Sequence, residues 1–248
     1  MHREPIFNIP AVIVGLIAVM AAIYFIDAYL LSEKQHAEFM ALFAFVPDRY
    51  ETGVIGNQWP GGVGAEIWTF VTYAFLHANA PHLIANVVWL LPFGSAVARR
   101  FGAVRFLLFF ALTAAAGALA QYAMFVGQKF ALVGASAAIS GTMAAAMRFA
   151  FQRGGPLSFW RSGDDESYRV PALPLSGILS DRRVLLFLFV WFGLNFLFGA
   201  GAVSLNESDQ PVAWQAHVGG FLAGLLLFGL FDPPPQKSLP PTTAAPQQ

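Results

Sequence analysis

VAWQAHVGGFLAGLLLFGLF, residues 212–231, contains no charged side chain and one histidine, His217. As a helix, about 20 such residues reach about 30 Å, the thickness of a bilayer's hydrocarbon core. A helix this apolar on every side belongs in a membrane or deep inside a large core. Five further runs are similarly long and predominantly apolar, with at most one charged residue each, roughly 11–31, 70–92, 103–125, 132–151 and 184–205. The chain is 57% hydrophobic and only 11% charged, with a mean hydropathy of +0.59. The fold class expected is therefore all-α, a polytopic membrane bundle of six transmembrane helices.

The distribution of charge orients the bundle. With the N-terminus in the cytoplasm, all of the 14 Lys and Arg fall on or near that side except Lys34, Arg49 and Lys129. The positive-inside bias then places both termini in the cytoplasm. The first apolar run is long for a signal peptide and has no convincing small-residue cleavage site, so it is expected to be kept as a span. A multi-pass protein of a bacterial-type plasma (inner) membrane follows, with the lipid bilayer as its surroundings. The net charge of zero gives no general pull towards nucleic acid, and the absence of cysteine excludes disulfides and thiolate zinc sites.

One membrane domain, 11–231, is expected to carry a short cytoplasmic N-terminus, 1–10, and a Pro-rich tail, 232–248. The tail has no apolar surface to bury and is expected to be disordered. The cytoplasmic connection 152–182 is polar. The outer loop 32–68 is too long for a plain connector. It holds Phe39, Phe43, Phe45, Trp59 and Trp68, the composition either of an element lying in the membrane interface or of a partly folded cover.

Polar groups in the spans concentrate at one depth. With alternating topology the second, fourth and sixth spans all run inwards, so His77, His82, Asn86, Ser136, Ser140 and His217 gather towards the outer face. Intramembrane polar groups are costly and face an interior or a water-filled cavity. Ser136 follows Gly134, which permits close backbone approach, and falls in the first turn of its helix. Free N–H groups and the positive dipole end lie there, as a tetrahedral oxyanion requires. Gly220 and Gly224 make a close-packing face one turn after His217, with Gly141-x-x-x-Ala145 as a small-residue counterpart. Packing of the two helices would let the imidazole take the serine proton. His82 and Asn86, four apart, share a helix face; they can donate to an oxyanion or simply cap and cross-link the helix ends.

In combination these positions resemble the rhomboid family of intramembrane serine proteases. Three motifs carry the likeness in order: His77-x4-His82-x3-Asn86, Gly134-Ala135-Ser136, and Ala216-His217-x-x-Gly220-x-x-x-Gly224. The resemblance covers about 11–231. It implies Ser136 as nucleophile and His217 as general base and then acid, without a third acidic member, a metal or a cofactor. Asn86, His82 and the Ser136 backbone N–H would form the oxyanion hole, and His77 would hydrogen-bond beneath the outer loop. The implied partners are transmembrane protein substrates, cut in or near a membrane helix.

This chain departs from the family pattern in three places. Ala137 stands where a glycine usually follows the nucleophile, Trp68-Thr69 where Trp-Arg usually opens the first motif, and Ala98 in place of a usual Glu. Rival hydrolase patterns are absent. There is no His-Glu-x-x-His, Asp27 is the only aspartate inside a span, and Ala138 breaks Gly-x-Ser-x-Gly. The alternative of a different class is a catalytically inactive rhomboid-like protein that binds or escorts membrane helices.

Overall fold

The computed structural model describes residues 9–51, 59–158, 165–199 and 213–233. Most of the expected N-terminal segment and tail, and the last residues of the expected fifth span, lie outside these.

Helix α1, Ala11–Tyr29, starts directly after Pro10. Ser32 opens α2, Glu33–Phe43, with a reciprocal capping box: its hydroxyl accepts the Gln35 N–H while its own N–H donates to Gln35 Oε1 at 2.9 Å. Such a cap contributes about 1 kcal/mol. Helix α3, Gly62–Thr72, ends in a 3₁₀ turn at Tyr73–Phe75. The chain then leaves the helix over 76–79. Asn79 restarts it by accepting the His82 N–H at 2.8 Å, with Pro81 in the first turn of α4, Ala80–Trp89. A π-turn at Leu90–Gly94 carries α4 into α5, Ser95–Phe101. Pro92 explains the widening, because it lacks an N–H and its ring crowds the carbonyl four residues back.

Five helices follow: α6 (Ala103–Met124), α7 (Ser136–Met147), the short α8 (Leu175–Ile178), α9 (Arg182–Gly199) and α10 (Trp214–Phe231). Among the described residues there is no strand, only an isolated bridge between Phe45 and Leu132.

Four helices among the described residues are long and apolar enough to cross a membrane: α1, the continuous Ala80–Phe101, α6 and α10. Two expected spans change. The second is 80–101 rather than 70–92, because the Asn79 cap and Pro81 start a new helix inside the expected run. The fourth shrinks from 132–151 to the 12 residues of α7, about 18 Å long. Every residue from Ala137 to Met147 is buried, so α7 is enclosed by protein. Non-helical backbone at its ends is tolerated for that reason.

Small residues set the packing around α7. A Cβ at Gly220 would lie 2.1 Å from Ala137 O, and one at Gly224 2.3 Å from Gly141 O. On the α6 side, a Cβ at Gly117 would lie 2.5 Å from that of Ala137. Backbones therefore touch, which is how helices gain dispersion contacts where lipid offers no hydrophobic drive.

The long connection after α1 folds onto α3 and the segment before α7. Trp68 Nε1 donates to Leu42 O at 2.8 Å and Thr72 Oγ1 to Phe43 O at 2.7 Å. Arg49 donates to Ala41 O and to Pro60 O, with its guanidinium 5.3 Å from the Trp59 ring centre. Burial pushes that guanidinium below its ordinary pKa, against the charges of Tyr50 and Glu66, which raise it. Every α2 residue keeps partial or full exposure, so the connection is a folded cover with an open outer side.

At the far end of α10, Arg100 donates from Nε to Asp232 Oδ1 at 2.5 Å and from Nη2 to Oδ2 at 2.9 Å. Its Nη1 donates to Tyr168 O and Val170 O, and its guanidinium lies 4.6 Å from the Phe149 ring centre. The Arg100 side chain is 8% exposed. Arg100→Ala strands Asp232 and two carbonyls, with an expected cost of about 3 kcal/mol. A lowered melting temperature in detergent checks this; an unchanged one contradicts it.

Candidate active site

Ser136 begins α7, and the helix's own ladder starts at Ile139 N–H, which donates to Ala135 O at 2.9 Å. The N–H groups of the first turn thus face outwards along the axis. Gly134 makes the entry possible. Its φ of +110° suits glycine, its N–H donates to Tyr73 O at 3.0 Å, and a Cβ there would lie 2.6 Å from the His82 ring.

His217 lies in the first turn of α10. The packing of Gly220 and Gly224 against α7 brings its Nε2 to 2.7 Å from Ser136 Oγ. The expected partners of the serine–histidine pair, 81 positions apart, therefore meet. Ser140, the other hydroxyl of the motif, donates to Ser136 O at 2.7 Å and is committed to the helix backbone.

The second cluster reaches the same entrance from α4. His82 packs against the Cα side of Gly134, and Asn86 Nδ2 donates to His82 O at 2.9 Å. That same Nδ2 is 3.8 Å from where a Gly134 Cβ would be. Asn86 is buried, and His82 Nδ1 is buried without a hydrogen-bond partner. His77 lies behind them, buried, its ring centre 5.2 Å from that of His82. The whole arrangement brings a hydroxyl, an imidazole and amide or imidazole donors to the N-terminal end of one buried helix.

Residues 64–232 match the family model of the rhomboid domain. The chain belongs to the rhomboid family. It is 26% identical over 185 residues to the rhomboid protease GlpG of Enterobacter sp. (strain 638), covering 70% of this chain and 55% of that protein. The GlpG of Klebsiella pneumoniae subsp. pneumoniae is 26% identical over 164 residues, 65% of this chain and 48% of the relative. That of Salmonella paratyphi A is 24% identical over 179 residues, 71% and 54%. The chain spans about half the length of these curated relatives.

The three departures of this rhomboid acquire physical readings. Ala137 is 1% exposed and turns its methyl towards α6, where Gly117 leaves room for it. Thr69 is buried and donates its hydroxyl to Ala65 O, and the guanidinium that ties the covering loop belongs to Arg49. Ala98 is buried, and Arg100, two residues on, takes its carboxylate partner from Asp232.

Sequence reasoning missed one residue of the site. Asn195, on α9, has its Oδ1 2.6 Å from His217 Nδ1. The signal was present in the sequence, the single amide in the run 184–205, whose one other polar side chain is Ser204 near its end. Among the described residues no group of three or more His, Asp or Glu is placed to hold a metal ion.

Proposed function

We propose that this chain is a serine endopeptidase that hydrolyses peptide bonds in or near transmembrane helices of other membrane proteins. The observation that carries the reading is the 2.7 Å contact of Ser136 Oγ with His217 Nε2 at the head of α7. The printed names of the relatives, rhomboid protease, point the same way.

The chemistry follows from the groups. His217 Nε2 accepts the Ser136 proton as Oγ attacks the scissile carbonyl. The tetrahedral oxyanion is held by the Ser136 N–H at the helix start, with Asn86 and His82 donating from α4. The imidazolium then gives its proton to the leaving amine, and the acyl-enzyme remains on Ser136. Water, deprotonated by the same imidazole, completes the hydrolysis. Both termini lie in the cytoplasm and the site opens towards the outer face, so substrates are reached from that half of the bilayer.

Purified protein reconstituted with a single-span substrate carrying small residues at its outer membrane boundary is expected to yield two fragments cut near that boundary. Folded protein that binds such helices and never cuts them overturns the reading in favour of the escort class. Asn86→Ala is expected to lower kcat about 100-fold, the usual loss for one oxyanion donor. An unchanged kcat in that variant removes Asn86 from the hole.

A further inference from the structure

The Ser136–His217 pair has a neighbour that the serine–histidine scheme does not use. Asn195 lies on α9 and is only 9% exposed. Its Nδ2 donates to Trp191 O at 2.8 Å, one turn back along the same helix. The amide is therefore oriented with Oδ1 as the end that faces His217 Nδ1 at 2.6 Å. An amide oxygen only accepts hydrogen bonds. The proton of a neutral His217 is thereby fixed on Nδ1, and the Nε2 lone pair is left for the Ser136 hydroxyl at 2.7 Å.

We infer that Asn195 is a positioning residue for the reaction: it selects the His217 tautomer and ring orientation in which Nε2 serves as the base towards Ser136. This rests on the hydrolase reading above. The geometry has two supports independent of that contact. Trp191, the residue that fixes the Asn195 amide, stacks on Phe221 of α10 with ring centres 4.6 Å apart. Phe221 is itself one turn beyond His217, so α9 and α10 are keyed together on the face that carries the pair. The rest of α9 offers no rival reason for an amide there. Phe189 and Phe196 are exposed, as lipid-facing residues would be, and an amide in an apolar helix is costly unless both of its ends are used.

Neutral imidazole without a partner on Nδ1 populates both tautomers, and the one with the proton on Nε2 cannot accept from serine. The orienting group of a nucleophile–base pair matters for this reason, by up to about 10⁴-fold where the wrong tautomer is enforced. Here loss of the acceptor only releases the preference, so the expected effect is smaller, about 10- to 100-fold.

The experiment uses the full chain in detergent with Asn195→Leu and Asn195→Asp. Asn195→Leu is expected to lower kcat for the single-span substrate about 10- to 100-fold with KM within about twofold and an unchanged melting temperature. Asn195→Asp, which retains an oxygen acceptor, is expected to recover most of kcat. A readout that needs no activity is the long-range proton–nitrogen spectrum of ¹⁵N-histidine protein, with His217 assigned by its disappearance in His217→Ala. The wild type is expected to carry the His217 proton on Nδ1, and Asn195→Leu to show both tautomers. Wild-type kcat in Asn195→Leu, equal losses in both variants with a parallel fall in melting temperature, or a wild-type His217 protonated on Nε2 would each overturn the inference. An inactive wild type with the Nδ1 tautomer intact would sink the hydrolase reading and leave the hydrogen-bond assignment standing.

Discussion

Ser136→Ala is expected to lower cleavage of a single-span substrate by at least about 10³-fold, and His217→Ala to fall to the same floor. The two groups act as one unit across a 2.7 Å contact, so the double variant is expected to be no worse than either single one. The serine change removes one oxygen atom from the start of α7. Its backbone carbonyl, which accepts from Ser140, is untouched. Melting temperature should therefore stay within a few degrees of the parent, separating lost chemistry from lost fold. Cleavage at parental rate by Ser136→Ala, or losses of the two single variants that multiply in the double, would contradict the coupled pair.

Gly224→Val is expected to have the largest structural effect. Its Cβ would stand 2.3 Å from Gly141 O and 2.5 Å from Gly141 Cα, both backbone atoms of a helix enclosed on all sides. No side chain is there to yield, so α10 must move away from α7. Overpacking of this kind costs about 3 kcal/mol or more. The pair would separate along with the helices, and activity would be lost together with stability. Gly229→Ala supplies the control on the same helix. Nothing lies within 4 Å of its Cβ position, and alanine gains about 1 kcal/mol of helix propensity over glycine. Thermal melts of both variants decide the matter: a stable, active Gly224→Val would refute backbone contact between α7 and α10, as would a Gly229→Ala as damaged as Gly224→Val.

The sequence made some of this visible because chemistry and packing leave local marks. Gly220 and Gly224 advertise a close helix face, and the structure sets them against Ala137 and Gly141, the stretch that also carries the serine. His217 and Ser136 stand out because charged and polar groups are rare in such runs. What the run lengths could not show is what surrounds each helix. An apolar stretch reads the same whether lipid or protein covers it, so α7, buried throughout, looked like a full span. Likewise, the run 70–92 holds a polar stretch, His77-Ala78-Asn79-Ala80-Pro81-His82, inside what reads as one span, whereas the Asn79–Pro81 cap marks the true start of the helix bearing His82 and Asn86. Asn195 was missed for a different reason. Its partner, His217 Nδ1, lies on another helix 22 positions away, and a single amide in an apolar run gives no spacing from which to infer a contact.

Covalent labelling tests the central claim most directly. The full-length protein in detergent is treated with a fluorophosphonate, digested, and the adduct located by mass spectrometry. An activated serine at the head of α7 predicts a single adduct on Ser136, absent from Ser136→Ala and reduced to background in His217→Ala. Labelling that maps to Ser140, or that persists at full rate without His217, would contradict it.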